Sequence, residues 1–398
     1  MRDAVTKEVI ESLISDGVCE SRQLDYKRDW VGRTDNDKKE FLADVVAFAN
    51  TIGGTMLFGV DEERDSDGKQ TGAPREAVGV EIAAADEEIR RIADIIRTGI
   101  APRLPDVAIS LVDGFPCGPV VAIHVPRSHR SPHMVSFKSS PKFFARVDRS
   151  RYALDVDELR DAFLRAEAMP ARIRDFRSRR ISAIDSGETP VPMDAGPLIV
   201  LHIVPMDTFS DVRAVPFADI DHAARVMRLP RFSGFDHAIN LDGHILWVPV
   251  KGDGPRQAVA YAQVFRDGAM EAVDGVTILP ASSDSGGTVL PDMIEATIVA
   301  QVAEYSRIFA SMPIGNQLSI MITLMNAKGF HVVPRERYDE RVIDRRVLGI
   351  PEVVVEREAA AIPATLKPAL DMLWQACGSS RSPHFNAGGE WTNPYRNS

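Results

Sequence analysis

The strongest local constraint on the fold is an amphipathic helix followed closely by a glycine pair and a short apolar strand. Residues 38–50 carry apolar side chains at the 3.6-residue spacing of a helix. Asn50 with Gly53 and Gly54 ends that helix, and residues 55–60 form a mostly apolar run typical of a strand. This order of elements predicts a mixed α/β fold.

Helix and strand patterns continue along the rest of the chain. The first half adds helices at residues 6–16, 86–98 and from 156 toward 180, a charged loop at 62–70, and strands at 23–27, 107–112, 120–125 and 143–147. The second half contains a strand at 198–204, an antiparallel meander at 245–250, 258–265 and 270–278, a helix at 294–309, and a hairpin of 318–325 with 330–333. The predicted class is α/β (α+β), with an antiparallel meander in a second mixed domain.

Length and one linker-like stretch predict two domains. A chain of 398 residues is too long for one ordinary core. Residues 182–197 are rich in Ser, Gly, Pro and acid, which is typical of a linker. We therefore expect an N-terminal domain at 1–181, the linker at 182–197, a C-terminal α/β domain of unassigned role at 198–377, and a flexible tail at 378–398.

Composition excludes several classes of protein. The chain is 44% hydrophobic and 26% charged, which excludes a largely disordered protein. It has no run of about 18 apolar residues, so no transmembrane helix is expected, and its charged N-terminus does not resemble a secretory signal. Three cysteines without a CxxC pair indicate neither a disulfide framework nor a zinc ribbon. We expect a cytoplasmic protein that does not contact membranes.

Positive charge is concentrated in the middle of the chain, although the formal net charge is -10. Charge acts locally, so an acidic protein can still bind phosphates through a basic strip. Phe143 and Phe144 offer faces on which a base could stack. The alternative is that Phe144 is a core residue and the arginines are a solvated face. The candidate nucleic-acid-binding residues are Arg127, His129, Arg130, Lys138, Lys142, Arg146 and Arg149.

Three acids and one lysine are candidates for chemistry. Asp25 and Lys27 are two residues apart and share one face of their strand, and Glu20 can join them from the preceding turn. Asp61 follows the strand at 55–60, so it approaches Asp25 if the two strands are neighbours. Converging carboxylates would bind Mg²⁺ or Mn²⁺ and Lys27 would stabilise a phosphate. The alternative is an ordinary surface ion pair with capping and strand-ending acids.

Five sequence segments together resemble the Schlafen-type AlbA-like domain, a family also catalogued as a divergent AAA or DNA-binding domain. The resemblance covers about residues 6–165. The segments are ESRQLDYK (20–27), AFANTIGG (47–54), TMLFGVDE (55–62), VVAIHVPRSHRSPH (120–133) and FFARVDRS (143–150).

The resemblance implies a nucleic-acid site and, in animal Schlafen proteins, a metal-dependent endoribonuclease that cuts transfer and ribosomal RNA. By that resemblance Glu20, Asp25 and Asp61 are the catalytic acids and metal ligands for Mg²⁺ or Mn²⁺, and Lys27 is the accompanying catalytic lysine. Asp25 replaces the usual Glu of the family. The chain lacks a GxxxxGK(S/T) loop, so ATP hydrolysis is not expected.

The leading hypothesis is a nucleic-acid-binding, metal-dependent endonuclease that cuts structured RNA such as tRNA, in antiphage defence or as a toxin. One alternative is a non-catalytic DNA-binding module or transcription regulator. Another is a ligand-sensing or protein-interaction subunit. With one such lobe in the chain, a homodimer would supply the second wall of a groove.

Overall fold

The computed structural model divides the chain into two compact units, Met1–Ala168 and Met169–Ser398. It confirms the mixed α/β class. The residues that it describes are 5–104, 107–128, 130–139, 141–193, 196–206, 208, 215–229, 232–250, 257–278, 287–310, 312, 314, 317–333, 341–356 and 362–395.

The described residues of the first unit form two small sheets, a hairpin and three complete helices. Its elements are α1 Lys7–Ser15, β1 Leu24–Lys27, α2 Asp35–Asn50, β2 Gly54–Phe58, β3 Val60–Arg64, β4 Gln70–Ala77, α3 Ala85–Gly99, β5 Ile100–Ala101, β6 Ala108–Phe115, β7 Gly118–Val125, β8 Met134–Val135, a 3₁₀ turn Phe137–Ser139, β9 Lys142–Val147 and β10 Ser150–Ala153. Helix α4, Val156–Asp185, begins here and continues past the division between the units.

The main sheet of the first unit has the strand order β1-β2-β7-β6. Strand β1 is the neighbour of β2 and runs parallel to it, and β2 runs antiparallel to β7. Helix α2 buries every side chain from Phe41 to Ala49. It starts at Asp35, three residues earlier than expected, because Thr34 and Asp37 form a reciprocal capping box. This buried helix therefore supports the sheet that carries Asp25 and Lys27.

The strand after the glycine pair is interrupted at Gly59. The backbone there has φ of +96°, a conformation that glycine adopts at little cost. A Cβ at this position would lie 2.7 Å from the backbone of Gly79, so space as well as conformation requires glycine. The chain then continues as β3, which pairs with β4 where the sequence predicted a charged loop.

The second unit is built on one large sheet of order β12-β13-β14-β15-β11-β17-β19, with β20 also paired to β17. The predicted meander is present as β13, β14 and β15. The elements are β11 Leu198–Pro205, α5 Phe217–Val226, β12 Asp236–Ile239, β13 Gly243–Pro249, β14 Ala258–Phe265, β15 Met270–Asp274, β16 Thr288–Val289, α6 Pro291–Ala310, β17 Gln317–Met325, β18 His331–Val332, β19 Val347–Gly349, β20 Val353–Glu356 and α7 Ile362–Ala376.

The expected hairpin of residues 318–325 with 330–333 does not form. Almost every residue of β17 is buried, and the strand lies inside the sheet, paired to β11 on one side and to β19 and β20 on the other. The two-residue strand β18 instead pairs in parallel with β16. A strand buried on both faces gains more from two long partners than from a short hairpin.

The boundaries between segments differ from the expected ones. Helix α4 extends to Asp185, into the predicted linker, and the division between the units falls inside this helix. The predicted tail packs on the second unit, because the buried carboxylate of Glu295 accepts hydrogen bonds from Ser382 Oγ and, at 2.7 Å, from Trp391 Nε1. Within the described residues, none of the helices is both long and apolar enough to cross a membrane.

Candidate functional site

Lys27 lies among carboxylates at the end of β1. Its Nζ is 2.8 Å from Asp25 Oδ2 and 4.0 Å from Oδ2 of Asp44 on α2. Burial alone would lower the pKa of Lys27, but Asp25 and Asp44 outweigh it and raise that pKa. The side chain is 39% exposed, so a fixed, charged ammonium is accessible at this point of the surface.

Arg146 lies beneath this ammonium and positions Asp25. Its side chain is 1% exposed and its Nη2 lies 3.1 Å from Asp25 Oδ1. The same nitrogen donates to the carbonyl oxygen of Arg149 at 2.9 Å, and the guanidinium stacks 4.2 Å from the ring centre of Phe48. Arg146 was predicted to bind nucleic acid, but in this position it holds Asp25 and the chain at Arg149 in place.

Glu20 joins Asp25 from the turn after α1, as the sequence predicted. Its backbone N–H donates to the carbonyl oxygen of Gly72 at 2.7 Å, and its Oε1 accepts from the backbone N–H of Tyr26 at 2.8 Å. Burial, followed by the nearby charges of Asp25 and Glu62, raises the pKa of Glu20 to about 7. Crowded carboxylates of this kind disfavour each other's ionised form.

Asp61 lies apart from Glu20 and Asp25 and forms ion pairs with two arginines. Its Oδ2 is 2.6 Å from Arg75 Nη2 and 3.0 Å from Arg28 Nη1, and its side chain is buried. Strand β2 ends at Phe58, before the positive-φ residue Gly59, and the β3–β4 pairing has a bulge between Asp61 and Glu62. This break changes which of the two adjacent acids faces Lys27.

Glu62 and Asp44 are the acids that the sequence reasoning missed. The carboxylate of Glu62 accepts from the backbone N–H of Gly72 and interacts with Lys27, Asp25 and Arg149; burial is the main cause of its raised pKa. Burial, and then Asp25, also raises the pKa of Asp44. Asp44 had a signal in the sequence, because it lies within the apolar stretch of α2. We call Glu20, Asp25, Lys27, Asp44 and Glu62 the Lys27 cluster.

The predicted metal ligands do not form a metal site in this conformation. No group of three or more His, Cys, Asp or Glu side chains is arranged to hold a metal ion in the part of the chain that the structure describes. Asp25 binds Lys27 and Arg146, and Asp61 binds Arg28 and Arg75. Asp61 therefore does not converge with Glu20 and Asp25 in this conformation, and binding of Mg²⁺ or Mn²⁺ at this site stays a prediction.

The predicted basic strip divides into paired and exposed residues. Lys138 pairs with Asp35, and Arg149 donates to the carbonyl oxygen of Thr71. Arg130 and Lys142 are exposed, and no acidic partner is found for either among the described residues. Arg127 follows β7 and has an interaction partner of its own. His129 lies outside the described residues.

The two phenylalanines also differ in position. Phe143 makes an edge-to-face contact with Phe163, with ring centres 6.1 Å apart. Phe144 packs against the core that α2 forms with the main sheet, which agrees with the core alternative for this residue. Phe143 is therefore the ring that lies outside this core, although both phenylalanines are half-buried.

Comparison with known proteins gives a match for the first unit. Residues 20–155 match the family model described as Schlafen, AlbA_2. A solved structure, the N-terminal domain of a protein related to the ATP-dependent DNA helicase RecG from Nitrosomonas europaea, is 20% identical, with 36% of this chain and 90% of that chain covered and a TM-score of 0.27. No curated protein matches the chain.

Proposed function

Since residues 20–155 form a Schlafen AlbA_2 domain, we propose that the first unit binds nucleic acid at the Lys27 cluster. The observation that carries the proposal is the pair of cations, Lys27 and Arg149, that both interact with Glu62. Buried Arg146 positions both groups, since it binds the carboxylate beside Lys27 and the carbonyl of Arg149. Two cations held in place suit the phosphates of a nucleic-acid backbone.

Binding is tested by fluorescence anisotropy with labelled tRNA and with duplex DNA at several salt concentrations. We expect the association constant to fall steeply between about 50 and 200 mM salt. Arg149→Gln should weaken binding and reduce the salt slope by about one. Arg165→Gln, an exposed arginine on α4 outside the matched residues, is the control and should change neither quantity. Salt-independent binding, or equal binding by Arg149→Gln, would count against the proposal.

A second candidate function is cleavage of the bound phosphodiester. The observation that favours it is the position of two carboxylates near Lys27: that of Glu20 accepts from the backbone N–H of Tyr26, and that of Glu62 accepts from the backbone N–H of Gly72. Carboxylates next to cations that hold a phosphate are suited to proton transfer in hydrolysis. We propose structured RNA such as tRNA as the preferred substrate and a Mg²⁺ or Mn²⁺ requirement for activity, with a role in antiphage defence or as a toxin.

Cleavage is tested by incubating the protein with tRNA or plasmid DNA, with Mn²⁺ or with EDTA. We expect Mn²⁺-dependent cutting of tRNA that Glu62→Gln abolishes while binding persists. Glu63→Gln, which changes the exposed neighbouring acid, is the matched control and should cut normally. Binding without cutting in every condition would leave a non-catalytic nucleic-acid-binding module or regulator. Absence of binding would favour the ligand-sensing or protein-interaction alternative.

A further inference from the structure

A groove of about 620 Å³ opens on the first unit between α3, the beginning of α2 and the ring of Phe137. Its lining residues differ from those of the Lys27 cluster. The volume is within the range of small-ligand sites in proteins. The charged lining consists of Arg33, Lys38, Arg90 and Arg91 against Glu87 and Asp94.

Glu88 fixes one wall of this groove from behind. Its carboxylate accepts hydrogen bonds from Trp30 Nε1 at 3.0 Å, from Arg33 Nη2 at 2.6 Å and from Arg91 Nε at 2.8 Å. Arg91 also donates to the carbonyl oxygen of Val31 at 2.8 Å, so the chain before α2 is tied to α3. The guanidinium groups of Arg33 and Arg91 are thus positioned before any ligand arrives.

Positive charge dominates the opening of the groove. Arg90 is exposed, and among the residues that the structure describes no acidic group pairs with it. Asp94 is bound by Arg97 at 2.8 Å, which offsets its negative charge in the lining. An anion entering the groove would therefore meet Arg90 beside the fixed guanidiniums of Arg33 and Arg91.

Phe137 gives the groove an aromatic side. Its ring packs in part against the core of the unit, and the Nζ atoms of Lys38 and Lys138 lie 6.0 and 5.9 Å from its centre. A planar ring flanked by ammonium groups suits a ligand that combines a flat base with a phosphate.

We infer that this groove binds one phosphate-bearing nucleotide of a nucleic-acid strand, with the phosphate on Arg90 and Arg33 and the base against Phe137. The inference goes beyond the proposed function, because it places a second contact on the first unit that does not use the Lys27 cluster. A free nucleotide offers the same phosphate and base, and the experiments below distinguish a nucleic-acid strand from a free nucleotide.

Strand binding is measured by anisotropy with a labelled single-stranded RNA oligonucleotide. We expect Arg90→Gln to reduce the salt slope by about 0.7, the value for one phosphate contact on a single strand. Phe137→Leu should weaken binding about tenfold without changing the slope, because it removes stacking and no charge. Arg165→Gln is again the matched control. Unchanged affinity and slope in both groove variants would overturn the inference for a strand.

Free nucleotide is measured by calorimetric titration with AMP and, separately, with inorganic phosphate. AMP binding that Arg90→Gln and Phe137→Leu both remove supports the groove with a free nucleotide as the source. If the wild-type protein binds no oligonucleotide, the proposed function fails and the AMP titration alone decides the groove. No AMP binding together with unaffected strand binding in the variants overturns the groove proposal while leaving the Lys27 cluster in place.

Discussion

At the scale of single residues, the site depends on a buried ion pair. Asp25 and Arg146 are both almost fully buried and lie 3.1 Å apart. Removing one partner of such a pair leaves an uncompensated charge away from water, which is more harmful than removing both. The buried pair of Asp25 and Arg146 holds the accessible residues Lys27 and Arg149 in place. Loss of this pair would therefore change the geometry of the surface.

We therefore expect Arg146→Met to destabilise the first unit by about 3 kcal/mol, because the buried Asp25 carboxylate keeps Lys27 but loses its buried partner at Oδ1. Chemical denaturation followed by circular dichroism measures the change. The double variant Asp25→Asn with Arg146→Met should recover part of the loss. A double variant as unstable as the sum of the single changes would show that the two residues act independently.

The sequence indicated which acids lie near Lys27 only where the residues are close in the chain. Glu20, Asp25 and Lys27 come together because they lie on one short turn and strand. Asp61 and Glu62 are adjacent, and only the conformation of Gly59 and the following bulge decide which one faces Lys27. That information depends on the packing of Gly59 against Gly79, which leaves no periodic signal in the sequence.

At the scale of elements, Gly59 separates β2 from β3. We expect Gly59→Ala to destabilise the unit by about 3 kcal/mol, since it combines positive-φ strain with a clash against the Gly79 backbone. Gly68→Ala is the matched control. Gly68 has a similar φ of +79° with no atom within 4 Å of an added Cβ, so the cost should be about 1 kcal/mol. Equal shifts in melting temperature for the two variants would contradict this account.

The part of α4 that belongs to the second unit is attached to the large sheet by a buried acid. Arg180 donates twice to Glu271 on β15, and Tyr261 and His202 also bind this carboxylate. Burial alone would raise the pKa of Glu271, but the hydrogen bonds from His202 and Arg180 outweigh it and lower that pKa to about 2. Sequence reasoning ended the helix pattern near Arg180 because it could not see this partner on a distant strand.

The bonds that Glu271 makes with Arg180 and His202 predict that the stability of the second unit depends on pH. A lowered pKa means that Glu271 stabilises the folded state above its unfolded pKa near 4.5, and that this contribution is lost as the pH falls toward 2. The contribution of Glu271 to the free energy of unfolding that is lost over this pH range is on the order of 3 kcal/mol. Urea unfolding should show Glu271→Gln less stable than wild type at pH 7, with the gap narrowing below pH 4.5. The exposed control Glu188→Gln should follow the wild-type curve, and a constant gap would contradict the assignment.

At the scale of the whole molecule, the elements of the chain differ in how well the sequence predicts them. The class, the α2–β2 order and the meander follow from hydrophobic periodicity, which is a local property. The position of β17 and the docking of the last residues depend on partners that lie far away in the sequence. Polar composition in residues 378–398 suggested a tail, yet two buried acids bind it: Glu295 accepts from Ser382 and Trp391, and Asp292 lies 2.9 Å from Nε2 of His384.

This docking gives a last prediction. Ser382→Ala combined with Trp391→Phe removes two donors from the buried Glu295 and should destabilise the second unit by about 2–4 kcal/mol. Trypsin should also cleave after Arg381 sooner. Ser380→Ala, an exposed change nearby, is the control. Nucleic-acid binding by the first unit should stay as in wild type, and unaltered proteolysis would argue that the contact is dispensable.

The burial of Arg146 has a consequence for anyone who maps the binding surface by alanine scanning. Replacing this arginine would weaken binding at least as much as replacing a true phosphate contact, because Lys27 and Arg149 would lose the support beneath them. The loss of affinity would then come from lost packing beneath the surface and not from a lost contact with nucleic acid. Melting curves collected alongside each affinity separate lost stability from a lost contact. They would show that Arg146 supports the surface from below and that Arg149 belongs to the surface itself.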